Sequence, residues 1–475
     1  MSAQGVTEKL CRFATELRYK GIPKEAIGEA KRSILDTVAV AVAGSQEPGG
    51  AGRIAIELVR EMGGVPTCSV IGGGFKTCSV NAAFANGTSG HTLDFDDTTI
   101  PINHYNSALV PAILTLAEET RVSGKKTLEA YVAAYEVGAR IGQSLKGTMP
   151  GYFFMGFHPV GTWPTLGISV GCSKLLDANV TQMKVAMGIA SSAACGLRRD
   201  FGTNTKPLHA GYAARNGLVA AKLAKKGFTA HTDILDDDPE ASPGSSMYFS
   251  FPRVFSGGDN YDLAAMVEGL GKTLHLVSGV NWKKFRTGSV AGQIPVDIVL
   301  DAMQKHGFTA KQVEHVECST PRQVVDVAVF HDPQTGDQAR YSIEYQVAAA
   351  LLDRTMGIEQ HREERVRRAD VREMMKKVHV YERKDISPAS YDKDSMMVKM
   401  VFKLKDGREY TEEGGRPIKG TPSLPLTDED LANKYRDCVR RAIPDAQVEK
   451  SLKLIGNFEE LKDVGELMEM LKGKA

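Results

Sequence analysis

Apolar residues recur with a helical period through most of this chain. In residues 24 to 43, Ile27, Ala30, Ile34, Val38 and Ala41 fall on one face and Gly44 stops the run. Residues 6 to 21, Ala51 to Arg60 and Asn81 to Asn86 share that period. So does Thr127 to Leu145, whose alanines and glycines let helices approach closely. Further helices are predicted over 164 to 176, 180 to 195 and 207 to 226. After Pro425 the pattern is helical again, with Thr427 as a cap and Glu459 to Leu471 closing the chain.

The texture changes near Gly269. Short alternating runs predict strands at Val313 to Cys318, Val324 to Val329 and Val398 to Leu404. The last run ends at Asp406-Gly407, a strong hairpin signal. Helical patterns at 291 to 305, 341 to 353 and 363 to 376 lie between them. At 475 residues the chain exceeds the size of a single core. The expected fold is therefore mainly α. A large all-helical domain (1–268, completed by 421–475) is built from both ends of the chain, and a smaller α+β domain (269–420) is inserted.

Composition narrows the partners. Hydrophobic residues make up 42% and charged residues 25%, and the net charge is +1, with no basic stripe for nucleic acid. The N-terminus carries charges throughout, so neither a secretion signal nor a membrane anchor is expected. Seven scattered cysteines fit reduced thiols in a cytoplasmic enzyme. Gly72-Gly73-Gly74 before Lys76-Thr77 suggests a phosphate cradle, but Phe75 stands where that motif needs glycine. The GKT at 271 to 273 has Met266 in place of its first glycine, so no nucleotide site is expected there either.

Two polar clusters remain. His91, Asp94, Asp96, Asp97, Thr98, Thr99 and His104 fall within 14 residues, just ahead of the apolar helix that begins near Ala108. Ser107 stands where an N-cap would stand, and Pro111 is expected in the first turn. The second cluster is Arg198, Arg199, Asp200 and then FGTNTKPLHAG from Phe201 to Gly211. Thr205 as a cap and Pro207 at the start put Lys206 at the mouth of a helix, where free N–H groups and the dipole favour an anion. His158 lies on the Gly/Pro-rich loop 150 to 165.

Each feature also has a plain reading. Asp96 caps the loop or faces solvent, His209 is a packed histidine, and the acidic cluster is solvated. No nucleophile elbow, HExxH pair or cysteine metal spacing is present. Asp94, Asp97 and His104 are candidate ligands for an oxygen–nitrogen metal site. The alternative is metal-free acid–base chemistry on a substrate held by cations. Removing a proton beside a carboxylate needs a positioned base and a field for the developing negative charge. Histidine and Lys206 supply those two needs, with His209, Arg198 and Lys284 as further substrate-binding candidates.

The blocks GHTLDFDDT, His104-x-x-Ser107-Ala108, GFHPVGT and FGTNTKPLHAG resemble the MmgE/PrpD superfamily. Likeness continues through YSIEYQVAAALLD (341 to 353) and PLTDEDLANKYRDC (425 to 438). The superfamily includes 2-methylcitrate dehydratases, cis-aconitate decarboxylases and iminodisuccinate epimerases. The resemblance implies a helical domain with an α+β lid, a homodimer, and metal-free and cofactor-free work on small di- or tricarboxylates. It also implies that Asp94, Thr98, His104, His158, Lys206 and Tyr345 line the pocket.

Two positions depart from the family. After Lys283-Lys284-Phe285, relatives commonly place a histidine four residues before an aspartate. Here Gln293 takes that place if Asp297 is the anchor. Thr99 replaces the usual histidine after DDT. Glutamine cannot exchange a proton near neutral pH, so standard 2-methylcitrate dehydration and cis-aconitate decarboxylation are expected to be poor. The expected function is a lyase, most simply a hydro-lyase, or an epimerase on a small polycarboxylate. A catalytically silent carboxylate-binding relative and a metal-dependent hydro-lyase are the alternatives.

Overall fold

Several helices of this protein are buried on every face, which places them in the middle of a bundle rather than on its surface. The computed structural model describes residues 5–99, 104–145, 155–237, 249–288, 291–325, 328–385, 397–415 and 417–473. Contacts divide the chain into two units, Met1–Val280 with Thr427–Ala475, and Asn281–Leu426.

The first unit is helical. Its main elements are α1 (Lys24–Ser45), α2 (Ser79–Thr92), α3 (Tyr105–Thr120), α4 (Gly124–Ser144), α5 (Trp163–Leu175), α6 (Val180–Ser191) and α7 (Thr205–Lys225). Every residue of α5, and every residue of α3 from Tyr105 to Glu118, is buried. The helix Asp428–Val439 returns the C-terminal segment to this unit, and Thr427 caps it as expected.

Two glycines set the geometry of the site. A Cβ on Gly87 would lie 2.9 Å from the Ala210 carbonyl, and one on Gly211 would lie 2.1 Å from Thr88 Oγ1. The backbones of α2 and α7 therefore touch, which brings the end of α2 and the start of α7 to one place.

Three local expectations are corrected. His104, not Ser107, is the N-cap of α3, and the Ser107 hydroxyl donates back to the His104 carbonyl at 2.6 Å. Pro111 lies beyond the first turn, inside the helix, where its missing N–H removes one i→i−4 bond. Asn204 precedes α7, so Thr205 is its first residue rather than its cap.

The second unit is α+β. Helices α8 (Gln293–His306) and α9 (Ile343–Asp353) accompany strands β1 (Val313–Thr320), β2 (Val378–Glu382), β3 (Val398–Leu404) and β4 (Glu409–Gly414). The sheet order is β2-β1-β3-β4, with β1 parallel to β2 and the other pairs antiparallel. Gly407, at φ 88°, makes the β3–β4 hairpin with Asp406. The core holds Val316, Cys318, Met400, Phe402 and the apolar faces of α8 and α9. The predicted strand from Val324 is instead a helical turn, Arg322–Val325, and residues 326 and 327 lie outside the described residues. A short apolar run cannot by itself separate the two outcomes.

Candidate active site

Helix α2 ends in the candidate site. His91 occupies its last turn, and Asp94 just beyond it adopts a left-handed backbone, φ 52°. That conformation is uncommon for a residue with a side chain and marks a constrained position. It turns the chain so that Asp94, Asp96 and Asp97 all point into the protein, each fully buried. The solvated reading of the acidic cluster is thereby overturned.

Asp96 joins two imidazoles. Its oxygens lie 3.1 Å from His91 Nδ1, and Oδ2 lies 3.0 Å from His104 Nδ1. Asp96 neither caps the loop nor faces solvent, a correction to the plain reading. His104 Nε2 lies 3.4 Å from Asp94 Oδ1, and Lys206 Nζ meets Asp94 Oδ2 at 2.5 Å. Lys206 stands in the first turn of α7, with 3% of its side chain exposed, over the Phe201 ring. The result is a buried run, His91–Asp96–His104–Asp94–Lys206, in which carboxylates alternate with nitrogen groups.

His158 completes the group. Its ring stacks 5.8 Å from His91 and sits edge-on to Phe201, and its Nδ1 lies 2.9 Å from His209 Nδ1. The His158 backbone N–H donates to the Gly196 carbonyl at 2.9 Å, while residues 146–154 of its loop lie outside the described residues. A Cβ on Gly161 would fall 1.9 Å from the Cys195 carbonyl, so only glycine lets this segment close against residues 195–197.

Burial governs the titration here. It is the chief cause that lowers His91 to about 4, and it pushes His158 well below the usual histidine range and lowers His209. Burial opposes the charge on Asp96, yet the imidazoles of His91 and His104 outweigh it and keep Asp96 ionised. The Nδ1–H groups of both rings therefore point at Asp96, while Nε2 of His104 faces Asp94.

Asp97 belongs to a separate group behind the site. Burial comes first, and the neighbouring Asp36 and Asp96 second, in raising its carboxyl well above the ordinary range. Its Oδ2 accepts from Asn106 at 2.8 Å, and its backbone N–H donates to Asp36. Asp36 is paired at 2.6 Å with Lys434, which also donates to the Phe95 carbonyl.

His91, Asp94, Asp96 and His104 offer donor atoms within 4.8 Å of one another, and Asp97 is outside that set. The set thus differs from the candidate ligands Asp94, Asp97 and His104 of the metal alternative read from the sequence. Lys206 already supplies the positive charge at Asp94, and both oxygens of Asp96 face imidazole nitrogens. Protons and a lysine fit this donor set better than a cation does.

Thr98 is buried beside the acidic loop. Arg198 sits in the short turn Arg198–Asp200, its guanidinium near Phe201. Lys284, Gln293 and Tyr345 belong to the second unit. Tyr345 is fully buried and donates its hydroxyl to the Gln360 carbonyl. Gln293 is fully buried, its Oε1 accepting the backbone N–H groups of Lys284 and Phe285 at 2.7 and 3.0 Å. His275 is tied to Glu136 and Gln143. Sequence reasoning missed the bridging role of Asp96 and gave His91 no role. The His-x4-Asp spacing across a helix end was the available signal.

Comparison with known proteins agrees with this layout. The MmgE/PrpD N-terminal domain matches residues 8–242, and the MmgE/PrpD C-terminal domain matches residues 289–460. A cis-aconitate decarboxylase of Mus musculus is 29% identical over 488 residues, covering 100% of this chain and 94% of that protein. One from Homo sapiens is 28% identical, covering 100% and 96%, and one from Aspergillus terreus is 26% identical, covering 98% and 96%. With both domain models matched in order and the similarity running end to end, the chain belongs to the MmgE/PrpD family.

Proposed function

We propose that this protein is a lyase acting on a small di- or tricarboxylate, by proton transfer beside a carboxylate and without metal or cofactor. The observation that carries the reading is the buried run His91–Asp96–His104–Asp94–Lys206 with His158 beside it. Lys206, at a helix N-terminus, binds a substrate carboxylate and stabilises negative charge that develops next to it. His104, oriented by Asp96, exchanges the proton through Nε2, and His158 serves as the second acid–base group. Thr98, Arg198, Lys284 and Tyr345 are further candidates for substrate contact.

Relatives bearing the name cis-aconitate decarboxylase favour decarboxylation or dehydration over epimerisation. Gln293 has no group that titrates near neutral pH and is engaged with the backbone of Lys284 and Phe285. Turnover of cis-aconitate and of 2-methylcitrate is therefore expected to be poor. The same residue favours a second reading, a catalytically silent carboxylate binder. A homodimer in the cytoplasm completes the proposal, and free thiols at all seven cysteines accord with that compartment.

The test is turnover across a panel of polycarboxylates, for the native protein and the Asp96→Asn variant, after prolonged chelation. The proposal expects one substrate to be turned over by the chelated protein, with the variant lower by about 10²-fold or more in kcat. Activity lost on chelation and restored by a divalent ion rejects the metal-free reading. Tight binding of a carboxylate with no turnover establishes the silent one.

A further inference from the structure

His158 and His209 meet through their Nδ1 atoms at 2.9 Å, with 3% and 5% of their surfaces exposed. A neutral imidazole carries one N–H and one bare nitrogen. Two Nδ1 atoms form a hydrogen bond only when one ring has its proton there and the other has its lone pair. The rings must then be opposite tautomers with a single proton between them.

We propose that His209 is a positioning residue that acts through His158: the two rings share one proton, which keeps His158 neutral and presents its Nε2 to substrate in one defined state. The use of Nε2 rests on the proposed function; the shared proton does not. A second proton on the acceptor ring's Nδ1 would break the bond, because both rings would then be donors there. The surroundings also resist a second charge. Lys206 disfavours a further proton on either ring, while Asp200 favours one on His209.

Local backbone is arranged around the pair. Gly196, at φ 144°, accepts the His158 backbone N–H. A Cβ on Gly196 would stand 3.1 Å from His209 Cγ, so one glycine fixes the first ring and makes room for the second. His209 enters from α7 three residues after Lys206, which ties the pair to the element carrying the substrate cation. With Nδ1 spent on His158, His209 contributes through that ring rather than as a separate reader of a substrate carboxylate.

Two measurements decide this. The first uses native protein labelled with 15N-histidine, with the two rings assigned through His158→Asn and His209→Asn. At pH 7 the inference expects one ring with its proton on Nδ1 and the other with its proton on Nε2. Identical tautomers, or an imidazolium at either ring, overturn it. The second compares His209→Asn, whose amide can give or take the bond, with His209→Phe, which keeps ring volume but cannot. Expected kcat is within about tenfold of native for the first and about 10²-fold lower for the second, with KM little changed in either. Equal losses in both variants, or changes in KM alone, overturn the positioning role. If the native protein turns over no polycarboxylate, the proposed function fails while the spectra still decide the shared proton.

Discussion

Lys206 and Asp94 stand 112 residues apart in sequence and are joined by a buried ion pair. A buried pair is a weak source of stability, since desolvation offsets most of the attraction. Its use here is positional. The lysine is held at the mouth of α7, against a carboxylate that also faces His104.

Lys206→Met should therefore lower kcat/KM by about ten- to hundredfold, the equivalent of ~1.5–3 kcal/mol for a lost charge-assisted contact. Steady-state kinetics beside a melting curve separate lost chemistry from lost folding. Near-normal kcat/KM would put the lysine outside the site.

Behind the site, Lys434 neutralises the buried Asp36 and holds the Phe95 carbonyl. Lys434→Met leaves that carboxylate uncompensated and should cost about 3–5 kcal/mol in urea unfolding. Adding Asp36→Asn should recover a large part of the loss. A double variant as unstable as the sum of the single changes would show that the two groups are not coupled.

Acid should destabilise the protein through His91. The unfolded chain takes up a proton at this histidine below about 6.5, whereas the folded protein does so only near 4. Between those values the unfolded state binds more protons, so this contribution is present above 6.5 and lost as pH falls. The slope is up to about 1.4 kcal/mol per pH unit. Asp36 and Asp97 run the other way, because burial raises both and they keep a proton that the unfolded chain releases above about 3.8. His91→Gln should consequently give a flatter stability curve than native protein between pH 6.5 and 4. An unchanged slope would mean that His91 is already charged in the fold.

Gln293 bears on substrate choice. The native protein should be poor on both cis-aconitate and 2-methylcitrate, since a positioned acid–base group contributes about 10²–10⁴-fold. Gln293→His restores an imidazole but removes the acceptor for the Lys284 and Phe285 N–H groups. It should gain activity on one of these substrates while losing about 1–3 kcal/mol of stability. Efficient native turnover of either substrate, with no gain in the variant, would contradict this reading of the second unit.

Much of this organisation was legible in the sequence. The bundle helices follow from apolar periodicity, and the β3–β4 hairpin follows from alternation around Asp406-Gly407. Asp94, His104, His158, Lys206 and His209 could be selected one by one, and the fold brings them together. The bridging by Asp96 was not legible, because an alternating Asp-x-Asp on a loop reads equally well as solvated. The fold buries Asp96 two residues after a left-handed turn at Asp94. The His158–His209 bond joins residues 51 apart, through a close approach that no local pattern announces. The segment at Val324 failed for the opposite reason: four valines between 324 and 329 favour a strand locally, yet Arg322–Val325 is a helical turn.

The most direct test of the central claim is exchange in heavy water. Native protein is incubated with each member of a di- and tricarboxylate panel in D2O and followed by proton NMR. One spectrum then reports loss of a C–H beside a carboxylate, loss of water and loss of CO2. The account predicts deuterium incorporation or conversion at a carbon next to a carboxylate for at least one compound, and its loss in His104→Asn and Lys206→Met. No exchange with any member, or exchange that persists undiminished in both variants, would contradict it.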